Sequence, residues 1–255
     1  MLEFASLGSG SQGNATVVRW AGGMLLLDCG FTVKATEARL ERLGVKPTDI
    51  HAILVTHEHG DHIGGVGPLA RKYDLPVYLT EGTFQVHQKK LGRLPCVELI
   101  RGYAPFTIEG MNITPVAVPH DAREPAQFLL HFNGLTLGIL TDLGLITPHV
   151  EEQYAECDGL LVEANHDSQM LASGPYHASL KRRVSGPWGH LNNQQTAQLL
   201  SRISREQLQQ LVVGHISQKN NALELVKACL TPWVSDVGQV HYACQDEGFD
   251  WLTLR

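Results

Sequence analysis

The 255-residue sequence contains no apolar run long enough to cross a bilayer, which takes roughly 20 helical residues. Its opening "MLEFASLGSGS" lacks the basic-then-apolar order of a secretory signal. Cysteine is scarce. The five residues Cys29, Cys96, Cys157, Cys229 and Cys244 are scattered, odd in number and without a C-x-x-C pair. That excludes a disulfide framework, suits a reducing cytosol and predicts buried free thiols. No internal repeat, low-complexity tract or linker breaks the chain, so residues 1–255 are expected to form one domain. An excess of basic charge is also missing. The formal net charge of −6 excludes a broadly basic nucleic-acid-binding surface. Two features work against that total locally: bound divalent cations would add charge, and Lys181-Arg182-Arg183 is a basic run able to grip phosphate.

Histidine is what the chain has in surplus. Its 13 residues are about double ordinary usage, which directs attention to metal ligands.

Periodicity gives a coarse α/β outline. Strands are predicted at "LEFASLG", "ATVVRW", "GGMLLLDCG", "AILVT" (52–56), "VYLT", "ITPVAVPH", "GLLVEAN", "QLVVGH", "QVHYAC" and "FDWLTL". Asn133-Gly134 predicts a tight hairpin between "FLLHF" and "LTLGILTD", the second strand ending at Asp142. Helices are expected over 34–43, with Ala38, Leu40 and Leu43 inward, and over 63–73, 193–204 and 219–230. Asn192 or Asn193 would cap the third. Residues 119–127 and 166–190 read as the long irregular loops, where function often sits.

Four candidate ligands then fall into place. His57, His120, Asp142 and His215 each follow an apolar strand, at the end where α/β sheets gather ligands. "VTHEHGDHIGG" (55–65) adds three more within six positions. In an extended segment residues two apart share a face, so His57 and His59 suit one ion. Gly60 lets the chain turn, and Asp61 and His62 suit a second ion beside it. A carboxylate between the two would bridge them. Imidazole and carboxylate donors without thiolate fit Zn²⁺, Mn²⁺ or Fe²⁺, and a pair of such ions fits hydrolysis. His51, His87, His131, His149 and His241 carry no such spacing and read as structural or solvated. His166 and His177 lie in the loop nearest the expected cleft.

"THEHGDH" resembles the H-x-H-x-D-H signature of the metallo-β-lactamase fold superfamily, and Asp28, His120, Asp142 and His215 match its other positions in order. The resemblance implies a four-layer αβ/βα sandwich, two mixed sheets with helices outside. It implies His57, His59 and His120 on one metal, Asp61, His62 and His215 on the other, and Asp142 between them. Asp28 would support the site, and Asp61 would orient a metal-bridged hydroxide. "SLGSGSQGN", "VEANHD", "GPYHASLKRRVSGPWGHLNN" and "GHISQKNN" are similar to the WalJ/YycJ group of the phosphodiesterase and nuclease branch. The sequence has "GHLNN" where that group favours "GHLSN".

A metal-dependent phosphodiesterase follows as the expected function, a 5′–3′ exonuclease on single-stranded DNA, with RNA as the other nucleic-acid partner. His190 occupies the place of the catalytic histidine in such enzymes and would assist the leaving oxygen. Lys181, Arg182 and Arg183 would contact substrate phosphate. The loop "SGSQGN" either cradles a phosphate or is a tight structural turn. Three other functions stand against this one: hydrolysis of a cyclic phosphate, hydrolysis of a thioester or lactam, and a non-catalytic metal-binding regulator. An inserted β-CASP domain is excluded, because only about 70 residues separate Asp142 from His215.

Overall fold

The computed structural model describes all residues 1–255. Fourteen strands form two seven-stranded sheets. The chain order is β1 (Leu2–Gly8), β2 (Ala15–Trp20), β3 (Gly23–Leu27), β4 (Ala52–Leu54), β5 (Pro76–Thr80), β6 (Cys96–Ile100) and β7 (Phe106–Ile108). It continues with β8 (Met111–Ala117), β9 (Ala126–Phe132), β10 (Leu135–Leu140), β11 (Gly159–Glu163), β12 (Gln210–Gly214), β13 (Gln239–Tyr242) and β14 (Phe249–Leu254). One sheet runs β14-β1-β2-β3-β4-β5-β6, the other β13-β12-β11-β10-β9-β8-β7. Both are mixed: β3 to β6 pair in parallel, as do β10 to β13, and every other pairing is antiparallel.

Side-chain alternation builds the layers. Leu25 and Leu27 of β3 face the other sheet, while Leu26 between them faces the helices. In β11, Leu161 points inward and Leu160 and Val162 point outward. Parallel strands buried on both faces need this unbroken apolar run. The central core joins the two sheets through Phe4, Leu54, Phe128, Leu137 and Val212. The helices Val33–Arg42 and Val66–Tyr73 cover one outer face, and Asn193–Leu200 and Leu223–Leu230 cover the other. The result is the expected αβ/βα order of layers. No helix is long and apolar enough to cross a membrane.

The hairpin turns at Asn133 (φ 50°) and Gly134 (φ 80°), as the sequence predicts. Several expectations need correction. In the first helix Thr36 and Leu40 are buried while Ala38 is exposed, because Ala38 lies two residues, about 200°, from Thr36. The helix predicted over 63–73 is split into Gly60–Ile63 and Val66–Tyr73, since Gly65 N donates to Cys29 O at 2.7 Å instead of continuing the helix. The last helix begins at Leu223 rather than 219, because Asn221 is committed to tertiary hydrogen bonds with Asn193 and Ala164 O. The helix predicted over 193–204 stops at Leu200, and Ser204 N donates to Ala155 O instead. The stretch 166–190 is not irregular: it carries helices Ser168–Ser173 and Ala178–Val184. Cys96 and Cys244 are exposed rather than buried, one on an edge strand and the other in a closing turn where its Sγ accepts from Glu247 N.

Candidate dinuclear metal centre

The site lies where the C-terminal ends of β3, β4, β10, β11 and β12 meet. Asp28, Asp142 and His215 follow their strands by one or two residues, and all three hold positive φ (57°, 56° and 49°). That left-handed turn is costly for an ordinary residue, and here three strand ends facing the site adopt it.

Four histidines present nitrogens to one another. Thr56 Oγ1 donates to Asp28 Oδ2 at 2.8 Å, so it accepts from His57 Nδ1 at 3.0 Å. His62 Nδ1 donates to Asp28 Oδ2 at 2.8 Å, and His120 Nδ1 donates to Gly189 O at 3.0 Å. Each bond fixes a tautomer and leaves the Nε2 lone pair facing inward. His57 Nε2 and His120 Nε2 then lie 3.0 and 3.1 Å from His59 Nδ1. Burial and neighbouring imidazoles keep His57 far below the usual histidine pKa, and burial lowers His120 as well. Neutral rings with lone pairs converging at such distances repel one another, and a divalent cation between them resolves this.

A second set sits beside the first. His62 Nε2 lies 3.3 Å from Asp142 Oδ2 and 3.5 Å from Asp61 Oδ2, and His215 Nε2 lies 3.9 Å from Asp61 Oδ2. Asp142 is buried, yet its Oδ2 has no hydrogen-bond partner. Burial alone would raise its carboxyl pKa; His215 and His62 outweigh that and hold it well below the usual range. An ionised, buried, unpartnered carboxylate oxygen fits a cation. Ligand atoms of His57, His59 and His120 form one group, those of Asp61, His62 and His215 another, and Asp142 reaches His62 on one side and His215 on the other. The donor set thus fits two divalent ions.

Three residues that support the site were not legible as such in the sequence: Glu163, Asn14 and Ser9. Glu163 ends the otherwise apolar strand β11 and is fully buried. Its Oε1 accepts from Leu143 N and Leu191 N, and its Oε2 holds His190 Nδ1 at 3.0 Å. Burial disfavours charge on His190, but Glu163 and Asp142 prevail and push its pKa up to about 9. A lone acid closing a buried strand was the available signal. Asn14, the last residue of "SGSQGN", donates to Asp61 Oδ2 at 3.2 Å. Ser9 Oγ accepts from His215 N at 2.8 Å. The glycine loop therefore braces the ligands.

These residues border a cleft of about 350 Å³ whose lining includes His59, Asp61, Asp142, His190 and His215. Of the basic run, Arg183 alone lines it, ion-paired with Asp121. Lys181 Nζ donates to Ala172 O, and Arg182 is exposed outside the lining. His166 is buried and His177 is exposed; neither lines the cleft.

The family model of the beta-lactamase superfamily domain matches residues 24–216. The chain belongs to the metallo-β-lactamase superfamily. Within it the chain is WalJ/YycJ-like. It is 33% identical to Exodeoxyribonuclease YycJ of Bacillus anthracis over 244 residues, covering 93% of this chain and 90% of that one. It is 35% identical to Exodeoxyribonuclease WalJ of Streptococcus pneumoniae over 227 residues, covering 88% and 84%. Among solved structures, the metallo-β-lactamase fold protein YhfI of Bacillus subtilis superposes with a TM-score of 0.76 at 16% identity, over 99% of this chain and 100% of that one. That similarity shows the shared fold. As a metallo-β-lactamase superfamily member of this group, the chain is a metal-dependent hydrolase.

Proposed function

We propose that the chain is a dinuclear-metal phosphodiesterase that removes nucleotides from single-stranded DNA as a 5′–3′ exonuclease, working as one hydrolase domain over residues 1–255 without a β-CASP insertion. His57, His59 and His120 would hold one ion, Asp61, His62 and His215 the other, and Asp142 both. Zn²⁺ and Mn²⁺ suit these donors best, and Fe²⁺ is a third ion they accommodate. Such ions supply Lewis acidity toward phosphoryl oxygens and lower the pKa of water.

The observation that carries this reading is His190, charged by Glu163 and exposed by about 20% at the edge of the ligand cluster. A thiolate leaves a thioester without needing a proton, whereas an alkoxide leaving from phosphorus gains most from a general acid. Water gives up a proton to solvent as its oxygen bonds to phosphorus, the P–O bond to the leaving sugar oxygen of the nucleotide breaks, and that oxygen takes its proton from His190. Asp61, ionised beside His62 and partly exposed, orients the water. Arg183 contacts a substrate phosphate from the cleft wall. Asp28 supports the site through His62 and Thr56. The relatives named exodeoxyribonucleases support DNA as substrate. The five unpaired thiols suit a cytoplasmic setting.

His190→Ala, loaded with Mn²⁺ or Zn²⁺, is expected to retain both ions by metal analysis. It should lose roughly 10²- to 10⁴-fold in turnover of single-stranded DNA and bis-p-nitrophenyl phosphate. Undiminished turnover would remove His190 from this role.

A further inference from the structure

Three of the four clustered histidines have their outward nitrogen held: His57 by Thr56, His62 by Asp28 and His120 by Gly189 O. His59 is the fourth. Its Nδ1 meets His57 Nε2 and His120 Nε2, so its own Nε2 faces away from that meeting point. The group found there is Asp121. Its Oδ1 lies 3.6 Å from His59 Nε2 and 3.5 Å from His120 Nε2. Its other oxygen, Oδ2, accepts from Arg183 Nε. One carboxylate thus stands between the first ligand group and the arginine that lines the cleft.

The main chain is fixed on both sides of this contact. Asp121 follows ligand His120 directly, and its N donates to Trp188 O at 2.9 Å. Arg183 lies in the last turn of the helix Ala178–Val184, and His190 N donates to Val184 O at 2.9 Å, folding the chain back on that helix end. The side chains of Asp121 and Arg183 are 27% and 55% exposed, and an ion pair so open to solvent contributes little stability. What it does is set direction. A ring coordinated through Nδ1 carries its proton on Nε2, and metal-binding histidines are oriented by a carboxylate that accepts this proton. A guanidinium bound through Nε keeps Nη1 and Nη2 as a planar fork, and here neither has a partner in the protein. Such a fork matches two phosphate oxygens.

We propose that Asp121 is a positioning residue with two ends, orienting His59 toward the first ion and aiming the Arg183 fork at a substrate phosphate in the cleft. The Arg183 end rests on the phosphodiesterase reading above, whereas the His59 end needs only the metal.

The test uses the full chain and two readouts. In calorimetric titration with Mn²⁺, Asp121→Ala should weaken binding of one ion roughly 10- to 100-fold, and Arg183→Ala should leave both affinities unchanged. At saturating Mn²⁺, each variant should raise KM for a single-stranded DNA oligonucleotide roughly tenfold. The double variant should cost no more than Arg183→Ala alone. Asp121→Asn keeps the side-chain shape but has one acceptor oxygen, so it should reproduce the loss of affinity or the rise in KM. Unchanged metal affinity in Asp121→Ala, wild-type behaviour of Asp121→Asn in both readouts, or additive KM penalties would overturn the positioning role while leaving the phosphodiesterase intact. No turnover of the oligonucleotide by metal-loaded wild type would overturn the phosphodiesterase reading and the Arg183 end with it, and the metal titration then decides the His59 end by itself.

Discussion

His190 Nδ1 stands 3.0 Å from Oε2 of Glu163, a carboxylate with no exposure to solvent. The two backbone amides of Leu143 and Leu191 fix the other carboxylate oxygen. Glu163 therefore sets both the orientation of the imidazole and its charge. A glutamine at 163 would keep the amide-accepting oxygen but turn an NH2 donor toward His190 Nδ1, removing both the charge and the acceptor that raise the imidazole's proton affinity.

Glu163→Gln should lower the His190 pKa from its value of about 9. A raised pKa keeps the acid form present to higher pH, so losing the cause moves the alkaline limb of kcat/KM to lower pH. Measured profiles of wild type and variant with the same metal check this. A limb that stays put would show that His190 is not the titrating acid.

Asp142 lies between the two ligand groups, with contacts to His62 at 3.3 Å and His215 at 3.0 Å. Asp142→Asn should weaken metal binding well over tenfold and abolish most turnover. Calorimetric titration with Mn²⁺ and Zn²⁺ reads the affinity. Chelation of the wild type should lower Tm by roughly 5–10 °C per site, given metal at about 100 times Kd and a chain of this size. Unchanged stoichiometry in Asp142→Asn would remove it from the ligand set.

Gly30 packs against the ligand loop with no space for a side chain. A Cβ there would meet Asp61 O at 1.9 Å, where Asn14 N already donates at 2.8 Å. Gly30→Ala should cost about 1–3 kcal/mol and weaken metal binding, because backbone on both sides must move. Urea midpoints with and without metal measure this. Wild-type stability and affinity together would mean that this contact does not position Asp61.

His166 is 1% exposed, and burial lowers its pKa from 6.5 to about 4. The unfolded chain binds its proton near pH 6.5 and the folded chain only near pH 4. Stability should therefore fall as pH drops through that window, by roughly 3 kcal/mol at most from this group, and level off below it. In metal-free protein His166→Gln should flatten the denaturant midpoint over the window. A slope equal to that of wild type would assign the pH dependence elsewhere.

Much of the architecture is legible in the sequence because it depends on local periodicity. The apolar runs of β3, β4, β10, β11 and β12 announce buried strands, and Asn133-Gly134 announces its hairpin. The seven expected ligands sit within three residues of the ends of β4, β8, β10 and β12 or in the segment just after β4, where Asp61 and His62 belong to the short helix Gly60–Ile63. The helices in 166–190 and the exposed Ala38 were not legible. Short helices leave little periodic signal, and the buried register of the first helix follows from its N-cap at Thr32 and its packing.

The sequence alone determined the family and the chemical character of the site. "HEHGDH" brings four ligands within six positions, and side-chain alternation requires His57 and His59 to share a face. Only the tertiary structure decided how those ligands are held and what surrounds them. Asn14 reaches Asp61 across 47 residues, Glu163 reaches His190 across 27, and Gly189 meets His120 across 69. Such contacts form when strands distant in sequence become neighbours in a sheet, and no local pattern encodes which loops then meet. The cleft has the same origin, since its lining draws on segments as far apart as Ser11, Asp121 and His215.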